Sequence, residues 1–339
     1  MLCCGNCFGD AGLSRQIENL SRVRGRCEYC GNDKVALVDP VDLVDFFEPL
    51  IGVYTTSTKP NACAIHDFLR HDWHLFENLK PSQTCSLLQA IFSDSDVTNL
   101  KYLPLVAQDS DALSQWETFR EELKHENRFF PANVMEKGLL EQLLGLLRVE
   151  GNKLDSIVYR ARIIEEGSSY AIEEMGSPPK ETTSHGRANP FGIPCLYTAS
   201  DENTAVSEVR PYKGGSVCMA SFSVDPTMTC VDLRDPQDTI SPFDLSEEDI
   251  RLVHRYMGYL CRLGDELSKP VIPKEAHLEY LPSQYLCEFI KHCGFDGVIY
   301  KSAMATGINY AIFNDRKLKG IQVKTYQINS IDVNFSQLS

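Results

Sequence analysis

An arginine, a tyrosine and a glutamate follow one another closely in the second half of the chain. Arg187 lies in a turn bounded by glycine and proline, Tyr197 in a short apolar segment and Glu208 in the helical segment that follows. The planar guanidinium of arginine matches phosphate oxygens, and an aromatic ring can stack on a cationic ring. A carboxylate can stabilise positive charge that develops in a transition state. The three side chains could therefore hold NAD, a phosphorylated ligand with a cationic aromatic ring.

The elements that must position these residues change in character near Gly151. The segments 156–163, 217–224 and 297–300 are typical of strands, and they alternate with helical patterns. Before this point, residues 42–150 carry apolar residues at helical intervals. We therefore predict an α+β protein.

We divide the chain into three predicted domains. Residues 1–35 form a small cysteine module, residues 36–150 a helical domain and residues 151–335 a mixed α/β domain. The polar segment 173–184 is predicted to be a loop, and the segment 285–292 a helix for which Ser283 could serve as the N-cap.

Four of the thirteen cysteines have the spacing of a metal site. Cys4 and Cys7 form one Cys-x2-Cys pair, Cys27 and Cys30 form another, and 19 residues separate the pairs. This spacing predicts a structural, four-thiolate zinc site. Unliganded thiols are the alternative, and Cys3 could replace Cys4 as a ligand. The other cysteines are scattered, which is typical of small buried apolar residues.

Composition restricts the possible functions of the chain. Of its 339 residues, 43% are hydrophobic and 24% are charged, as expected for a globular protein. No apolar run approaches the ~20 residues that span a bilayer, and residues 1–10 lack the features of a signal peptide. We therefore predict a cytoplasmic protein without a membrane partner. The net charge of -14 disfavours nucleic acid as a main ligand.

The second half of the chain resembles the RES-domain family, which is named for its arginine, glutamate and serine. The matching segments are 158–162 (VYRAR), 186–190 (GRANP), 195–199 (CLYTA), 204–211 (TAVSEVRP), 281–285 (LPSQY) and 294–302 (GFDGVIYKS). They occur in the order of the family pattern, which makes the match specific. The first 150 residues resemble, more weakly, a HEPN-related domain with cysteine knuckles that is fused to some RES domains.

The resemblance implies a fold similar to that of ADP-ribosyltransferase toxins and an activity that cleaves the nicotinamide–ribose bond of NAD. It implies catalytic roles for Glu208, Tyr197 and Arg160. It also implies that Arg160, Arg187, Tyr197 and Ser283 bind the substrate. The expected protein is a toxin that depletes cellular NAD in growth arrest or anti-phage defence, with NAD as substrate and an antitoxin or regulatory protein as partner.

Several alternatives stay open at this level. The acceptor of ADP-ribose could be phosphate, water or a protein, and a protein acceptor would make the chain an ADP-ribosyltransferase. Arg120 and His125 have the spacing of a HEPN-type ribonuclease, which is a second alternative. A RES fold that only binds a nucleotide is a third. The sequence does not determine whether the chain forms a homo-oligomer.

Overall fold

The computed structural model describes residues 1–106, 109–164 and 169–331. In chain order the helices are α1 (Ala11–Leu20), α2 (Val44–Ile51), α3 (Ile65–Trp73), α4 (Pro81–Phe92), α5 (Asp96–Asn99), α6 (Ser110–His125), α7 (Lys137–Leu146), α8 (Glu202–Glu208), α9 (Pro236–Thr239), α10 (Glu247–Ser268), α11 (Ala276–Glu279) and α12 (Leu281–His292).

The strands are β1 (Val23–Gly25), β2 (Val35–Leu37), β3 (Tyr54–Thr56), β4 (Cys63–Ala64), β5 (Lys101–Pro104), β6 (Arg148–Glu150), β7 (Ile157–Ile164), β8 (Leu196–Ala199), β9 (Ser216–Val224), β10 (Thr229–Asp232), β11 (Gly297–Lys301), β12 (Ile308–Ile312) and β13 (Leu318–Gln327). The protein is therefore mixed α/β. Within the described ranges, none of the helices combines the length and the apolar character that a bilayer crossing requires.

The chain forms two compact units, each built from two separate segments. The first unit contains residues 1–112 and 235–259, and the second contains residues 113–234 and 260–339. The division after Tyr259 falls within α10. These units are groups of residues in mutual contact, whereas the domain boundaries at residues 35 and 150 were predicted from sequence patterns. The boundaries therefore stay predictions.

The first unit contains helices and two small sheets. Strands β1 and β2 pair with each other, and a three-stranded sheet has the order β3-β5-β4. The rings of Phe8, Phe47 and Phe76 meet in its core, with centroids between 5.4 and 6.0 Å apart. The expectation of helices alone over residues 42–150 is thus wrong at β3, β4 and β5, and also at β6 of the second unit. These strands are too short to produce a periodic pattern in the sequence.

The second unit is built on an eight-stranded sheet with the order β13-β9-β7-β8-β12-β11-β10-β6. Its pairs are antiparallel except β10 and β11, which run parallel. Buried apolar side chains from β7, β8, β9 and β12 form its core, including Val158, Leu196, Phe222 and Tyr310. The three predicted strands are confirmed as β7, β9 and β11.

The predicted loop 173–184 overlaps regular structure. The chain forms two short 3-10 helices here, Ile172–Met175 and Lys180–Thr182, and Met175 is fully buried. The predicted helix 285–292 begins earlier, at Leu281, and Tyr280 is its N-cap. Ser283 therefore lies inside the helix, and the expectation that it caps the helix is wrong.

Candidate active site

A cavity of about 340 Å³ opens in the second unit. Strand β7 contributes Arg160 to its lining, β8 contributes Tyr197, the end of α8 contributes Glu208, and the loop before β8 contributes Arg187. Four of the five site residues expected from the sequence thus come together in one place. Its volume is at the lower end of the range for small-molecule sites, about 300–1,000 Å³.

Arg160 is held in the cavity wall without a carboxylate partner. Its Nη1 donates a hydrogen bond of 2.8 Å to the carbonyl oxygen of Gly176. Among the described residues Arg160 makes no ion pair. Burial, together with the nearby charge of Arg162, lowers the pKa of Arg160 to about 10. The guanidinium is therefore charged at neutral pH, and burial disfavours that charge until an anion binds.

Arg187 is fixed by carbonyl groups in the same way. Its Nη1 donates to the carbonyl oxygens of Leu267, at 3.2 Å, and Lys269, at 2.6 Å. The guanidinium carbon lies 5.3 Å from the ring centre of Tyr280. Within the part of the chain that the structure describes, Arg187 also makes no ion pair. The cavity thus carries two arginines that form no ion pair with a described carboxylate, although Glu208 belongs to the same lining.

The hydroxyl group of Tyr197 ties β8 to the loop that carries Arg187. It donates to Asn189 Oδ1 at 2.7 Å and accepts from the backbone N–H of Ala188 at 2.9 Å. Burial raises the pKa of this hydroxyl well above its ordinary value, so Tyr197 is neutral. A Cβ on Gly186 would lie 2.5 Å from the Tyr197 oxygen. Only glycine allows the loop to approach the ring this closely.

Glu208 lies at the end of α8, where it is exposed to solvent at the mouth of the cavity. Its Oε1 accepts hydrogen bonds of 2.6 Å from both Ser302 Oγ and Asn309 Nδ2. Two donors at one oxygen fix the orientation of the carboxylate. Asp201 accepts from the backbone N–H of Thr204 and caps the start of the same helix.

Ser283 is the fifth expected site residue, and the structure places it behind the Arg187 loop. Its side chain does not line the described cavity. Its hydroxyl lies 2.7 Å from the carbonyl oxygen of Arg187 and 3.1 Å from that of Tyr280. The adjacent Gln284 donates to the carbonyl oxygens of Gly186 and Asn189. The start of α12 therefore positions the loop, and binding of a ligand by Ser283 itself stays a prediction.

Sequence reasoning missed several residues of the cavity. His185, Tyr280 and Asn309 line it together with the expected residues. His185 directly precedes the Gly186–Pro190 motif and could have been found from it. Asn309 and Tyr280 come from distant segments, and only the pairing of β12 with β8 and the packing of α12 bring them here.

The four cysteines of the two Cys-x2-Cys pairs form one cluster in the first unit. The Sγ atoms of Cys4, Cys7, Cys27 and Cys30 all lie within 4.8 Å of one another. The distances are 3.5 Å from Cys4 to Cys30 and 3.4 Å from Cys7 to Cys27. Tetrahedral zinc with bonds of about 2.3 Å needs sulfur atoms roughly 3.8 Å apart, so the cluster fits zinc.

Cys4 is the residue that completes this thiol cluster, and Cys3 is not part of it. The thiol of Cys7 and the other neighbouring thiols lower the pKa of Cys4 to about 5. Cys3 is fully buried, and its backbone pairs with Val38. The structure therefore groups Cys4, and not Cys3, with the other three thiols, and its role as a zinc ligand stays a prediction.

Arg120, which the ribonuclease alternative requires, makes ion pairs with carboxylates. It lies 2.5 Å from Glu117, 2.9 Å from the buried Glu266 and 3.7 Å from Glu279. His125 is exposed, and its nearest described carboxylate is Glu121, at 3.9 Å. An arginine surrounded by carboxylates is unsuited to bind an RNA phosphate. Nothing in this arrangement favours RNA cleavage.

The protein is mixed α/β, and its second unit contains a cavity lined by two arginines, a tyrosine and a glutamate that were expected from the sequence. The chain belongs to the RES-domain family: the family profile matches residues 157–335, slightly more than half of the chain. The resemblance noted in the second half of the sequence is confirmed. The match begins after the helical region, so the HEPN-related identity of the first 150 residues is not supported by it and stays a prediction.

A solved structure with some similarity is that of the M. tuberculosis MbcT–MbcA toxin–antitoxin complex. The similarity covers 57% of this chain and 94% of that chain, with 14% sequence identity and a TM-score of 0.36. This likeness is too low to carry an argument about function. No curated protein sequence matches the chain.

Proposed function

We propose that the second unit cleaves the nicotinamide–ribose bond of NAD. The observation that carries the proposal is the cavity itself, where Arg160 and Arg187, free of carboxylate partners among the described residues, lie beside Tyr197 and Glu208. Membership of the RES-domain family supports a toxin-type protein that acts on NAD. The remaining steps follow from the chemistry of these side chains.

The arginines bind the substrate in this proposal. The diphosphate of NAD is an anionic partner for Arg160 and Arg187. Each guanidinium has further N–H donors for it besides those that are bound to carbonyl groups. Both arginines are held by backbone carbonyls, so little side-chain freedom is lost on binding. Tyr197 supplies an aromatic wall against which the cationic nicotinamide ring packs.

Glu208 stabilises the transition state. When the N-glycosidic bond breaks, its electron pair moves to the nicotinamide nitrogen, and the ring leaves as a neutral molecule. The ribose carbon becomes oxocarbenium-like, as in glycoside hydrolysis. Ser302 and Asn309 fix Oε1 of Glu208, so the carboxylate can hold a ribose hydroxyl and stabilise the positive charge without reorganising. An acceptor oxygen then forms the new bond to the ribose carbon and releases its proton.

The cellular role that we propose is depletion of NAD, in growth arrest or anti-phage defence. A cytoplasmic location, an ADP-ribosyltransferase-like fold and control by an antitoxin or a regulatory protein belong to the same proposal, which rests on the family. Phosphate or water as acceptor gives an NAD phosphorylase or glycohydrolase. A protein acceptor gives the alternative function, a protein ADP-ribosyltransferase.

We propose further that the thiol cluster holds structural zinc. Cys4, Cys7, Cys27 and Cys30 supply four sulfur ligands, and a site with four protein ligands leaves no position for a substrate. The metal would stabilise the first unit and takes no part in NAD cleavage.

Product analysis tests the reaction. The purified full-length chain is incubated with NAD in phosphate buffer, in phosphate-free buffer and with a cell extract, and the products are identified by mass spectrometry. Phosphorolysis gives ADP-ribose phosphate, hydrolysis gives ADP-ribose, and transfer gives modified protein. Intact NAD in all three arms would contradict the proposal.

A further inference from the structure

The guanidinium of Arg187 is held at the end of a helix. Its Nη1 donates to the carbonyl oxygens of Leu267, at 3.2 Å, and Lys269, at 2.6 Å. Leu267 lies in the last turn of α10, and Lys269 follows the helix directly. The last carbonyl groups of a helix have no N–H partner within it, and they carry partial negative charge. Arg187 therefore caps α10, and the place where α10 ends sets the place of the guanidinium.

The backbone around Lys269 explains why α10 ends there. The N–H of Lys269 donates to the carbonyl oxygen of Asp265, at 2.9 Å, as it would in a further turn of the helix. Pro270 comes next, and a proline disfavours helical backbone in the residue before it. Arg187 thus supplies a donor that the next helical turn would have supplied.

The side chain of Lys269 joins two carboxylates. Its Nζ lies 3.0 Å from Glu266 Oε1 and 2.9 Å from Glu279 Oε2. The side chain of Glu266 is fully buried, and a buried charge is stable only with close partners of opposite charge. Glu266 belongs to α10, and Glu279 is the last residue of α11. One ammonium group therefore links the end of α10 to α11.

This link connects the two groups that contact the Arg187 guanidinium. The carbonyl oxygen of Lys269 accepts a hydrogen bond from it, and the ring of Tyr280 has its centre 5.3 Å from the guanidinium carbon. Tyr280 directly follows Glu279 and also lines the cavity. The ammonium group of Lys269 thus acts on Arg187 through its own carbonyl group and through the segment that carries Tyr280.

Both carboxylates keep other partners when this ammonium group is removed. Glu266 lies 2.9 Å from Arg120 and 3.0 Å from Arg262. Glu279 lies 2.6 Å from Lys124. Since neither carboxylate is left unpaired, we expect a variant without the ammonium group to fold.

We propose that Lys269 is a positioning residue for substrate binding, because its ammonium group fixes the end of α10 and thereby the Arg187 guanidinium. The inference rests on the proposed function, in which Arg187 binds the diphosphate of NAD. A role in stability alone is the competing explanation. A positioning residue changes the affinity of the cavity for its ligand, whereas a loss of stability lowers the fraction of folded protein.

Steady-state kinetics with NAD distinguish these roles, at a temperature below the Tm of every variant. For Lys269→Met we expect KM to rise about fivefold with kcat little changed, because Arg187 binds substrate and transition state alike. Lys124→Met is the matched control: it also removes an ammonium group from Glu279, but it lies on α6. The control should keep the KM of the wild type, and Lys269→Arg, which retains the charge, should restore it.

Labelling with phenylglyoxal, a reagent that modifies arginine side chains, gives a readout that needs no cleavage of NAD. Labelled peptides are quantified by mass spectrometry, with the exposed Arg316 as the internal reference. Carbonyl groups bound to a guanidinium shield it from the reagent. We therefore expect Arg187 to react about threefold faster in Lys269→Met than in the wild type or in Lys124→Met.

The two measurements separate this inference from the proposed function. If the wild-type chain leaves NAD intact, the proposed function fails, and the labelling comparison alone decides the role of Lys269. Unchanged labelling of Arg187 in Lys269→Met would overturn the positioning role, and so would equal effects of Lys269→Met and Lys124→Met. In an active wild type, a lower kcat at constant KM would also overturn it, in favour of a role in stability alone.

Discussion

Replacing Arg160 by methionine should make the protein more stable and less active. Burial and the charge of Arg162 lower the pKa of Arg160 from its ordinary value to about 10, which corresponds to roughly 3 kcal/mol against the charged form in the folded state. The variant loses the hydrogen bond to Gly176, which is worth about 1.5–3 kcal/mol for a charged donor. The free energy of unfolding should therefore rise by about 1 kcal/mol, or a few degrees in Tm for a unit of this size.

The pH dependence of this gain follows from the direction of the pKa change. The folded-state pKa lies below the unfolded value, so the charged arginine destabilises the fold fully at pH values below about 10. As the pH rises from this value toward the ordinary pKa of arginine, the destabilisation of the wild type disappears. The Tm difference between the variant and the wild type should therefore be constant near neutral pH and shrink in strongly alkaline buffer.

The assay combines thermal unfolding with NAD kinetics, and Arg162→Met is the control. Arg162 lies on the same strand, over the ring of Tyr170, and it does not line the cavity. We expect Arg160→Met to raise KM for NAD at least about tenfold, whereas Arg162→Met should leave Tm no higher. An Arg160→Met variant that is less stable than the wild type and retains its KM would refute the reasoning, because Arg160 would then be structural.

Three further predictions concern the loop and the cysteines. Ser283→Ala should remove a buried hydrogen bond to the Arg187 loop, destabilise the fold by about 1 kcal/mol and raise KM for NAD roughly fivefold; an unchanged KM would contradict the positioning role. In Gly186→Ala the new Cβ should clash with the Tyr197 hydroxyl. The free energy of unfolding, measured by denaturant unfolding, should fall by about 1–3 kcal/mol. Gly145→Ala, where a Cβ meets nothing within 4 Å, should be neutral or stabilising. Elemental analysis should find one zinc per chain and less in Cys4→Ser, and a metal-free wild-type protein would contradict the zinc proposal.

The sequence predicted the parts of the fold that have long, regular patterns. Strands β7, β9 and β11 are five to nine residues long and rich in apolar residues, so their pattern is readable in the sequence. Strands β3, β4 and β5 are only two to four residues long, and the sequence did not predict them. Their pairing partners lie far apart in the sequence. The order of the eight-stranded sheet depends on the same kind of distant pairing.

The sequence predicted those site residues that lie in one motif region. Arg187, Tyr197 and Glu208 lie close together in the sequence, and the family pattern added Arg160. The partners that fix Glu208, Ser302 and Asn309, come from another part of the chain. No spacing in the sequence relates them to α8, and only the sheet brings them there. The role of Ser283 also needed the structure, because its type and position alone do not show which group it bonds.

The initial rate of nicotinamide release from NAD tests the central claim most directly. The wild-type chain is compared with Glu208→Gln, which keeps the shape of the side chain and removes its charge. Glu202→Gln on the same helix is the control, because Glu202 does not line the cavity that contains Glu208. We predict release by the wild type and by Glu202→Gln, and a rate at least about a hundredfold lower for Glu208→Gln. Equal release by all three proteins, or none by the wild type with any acceptor, would contradict the claim.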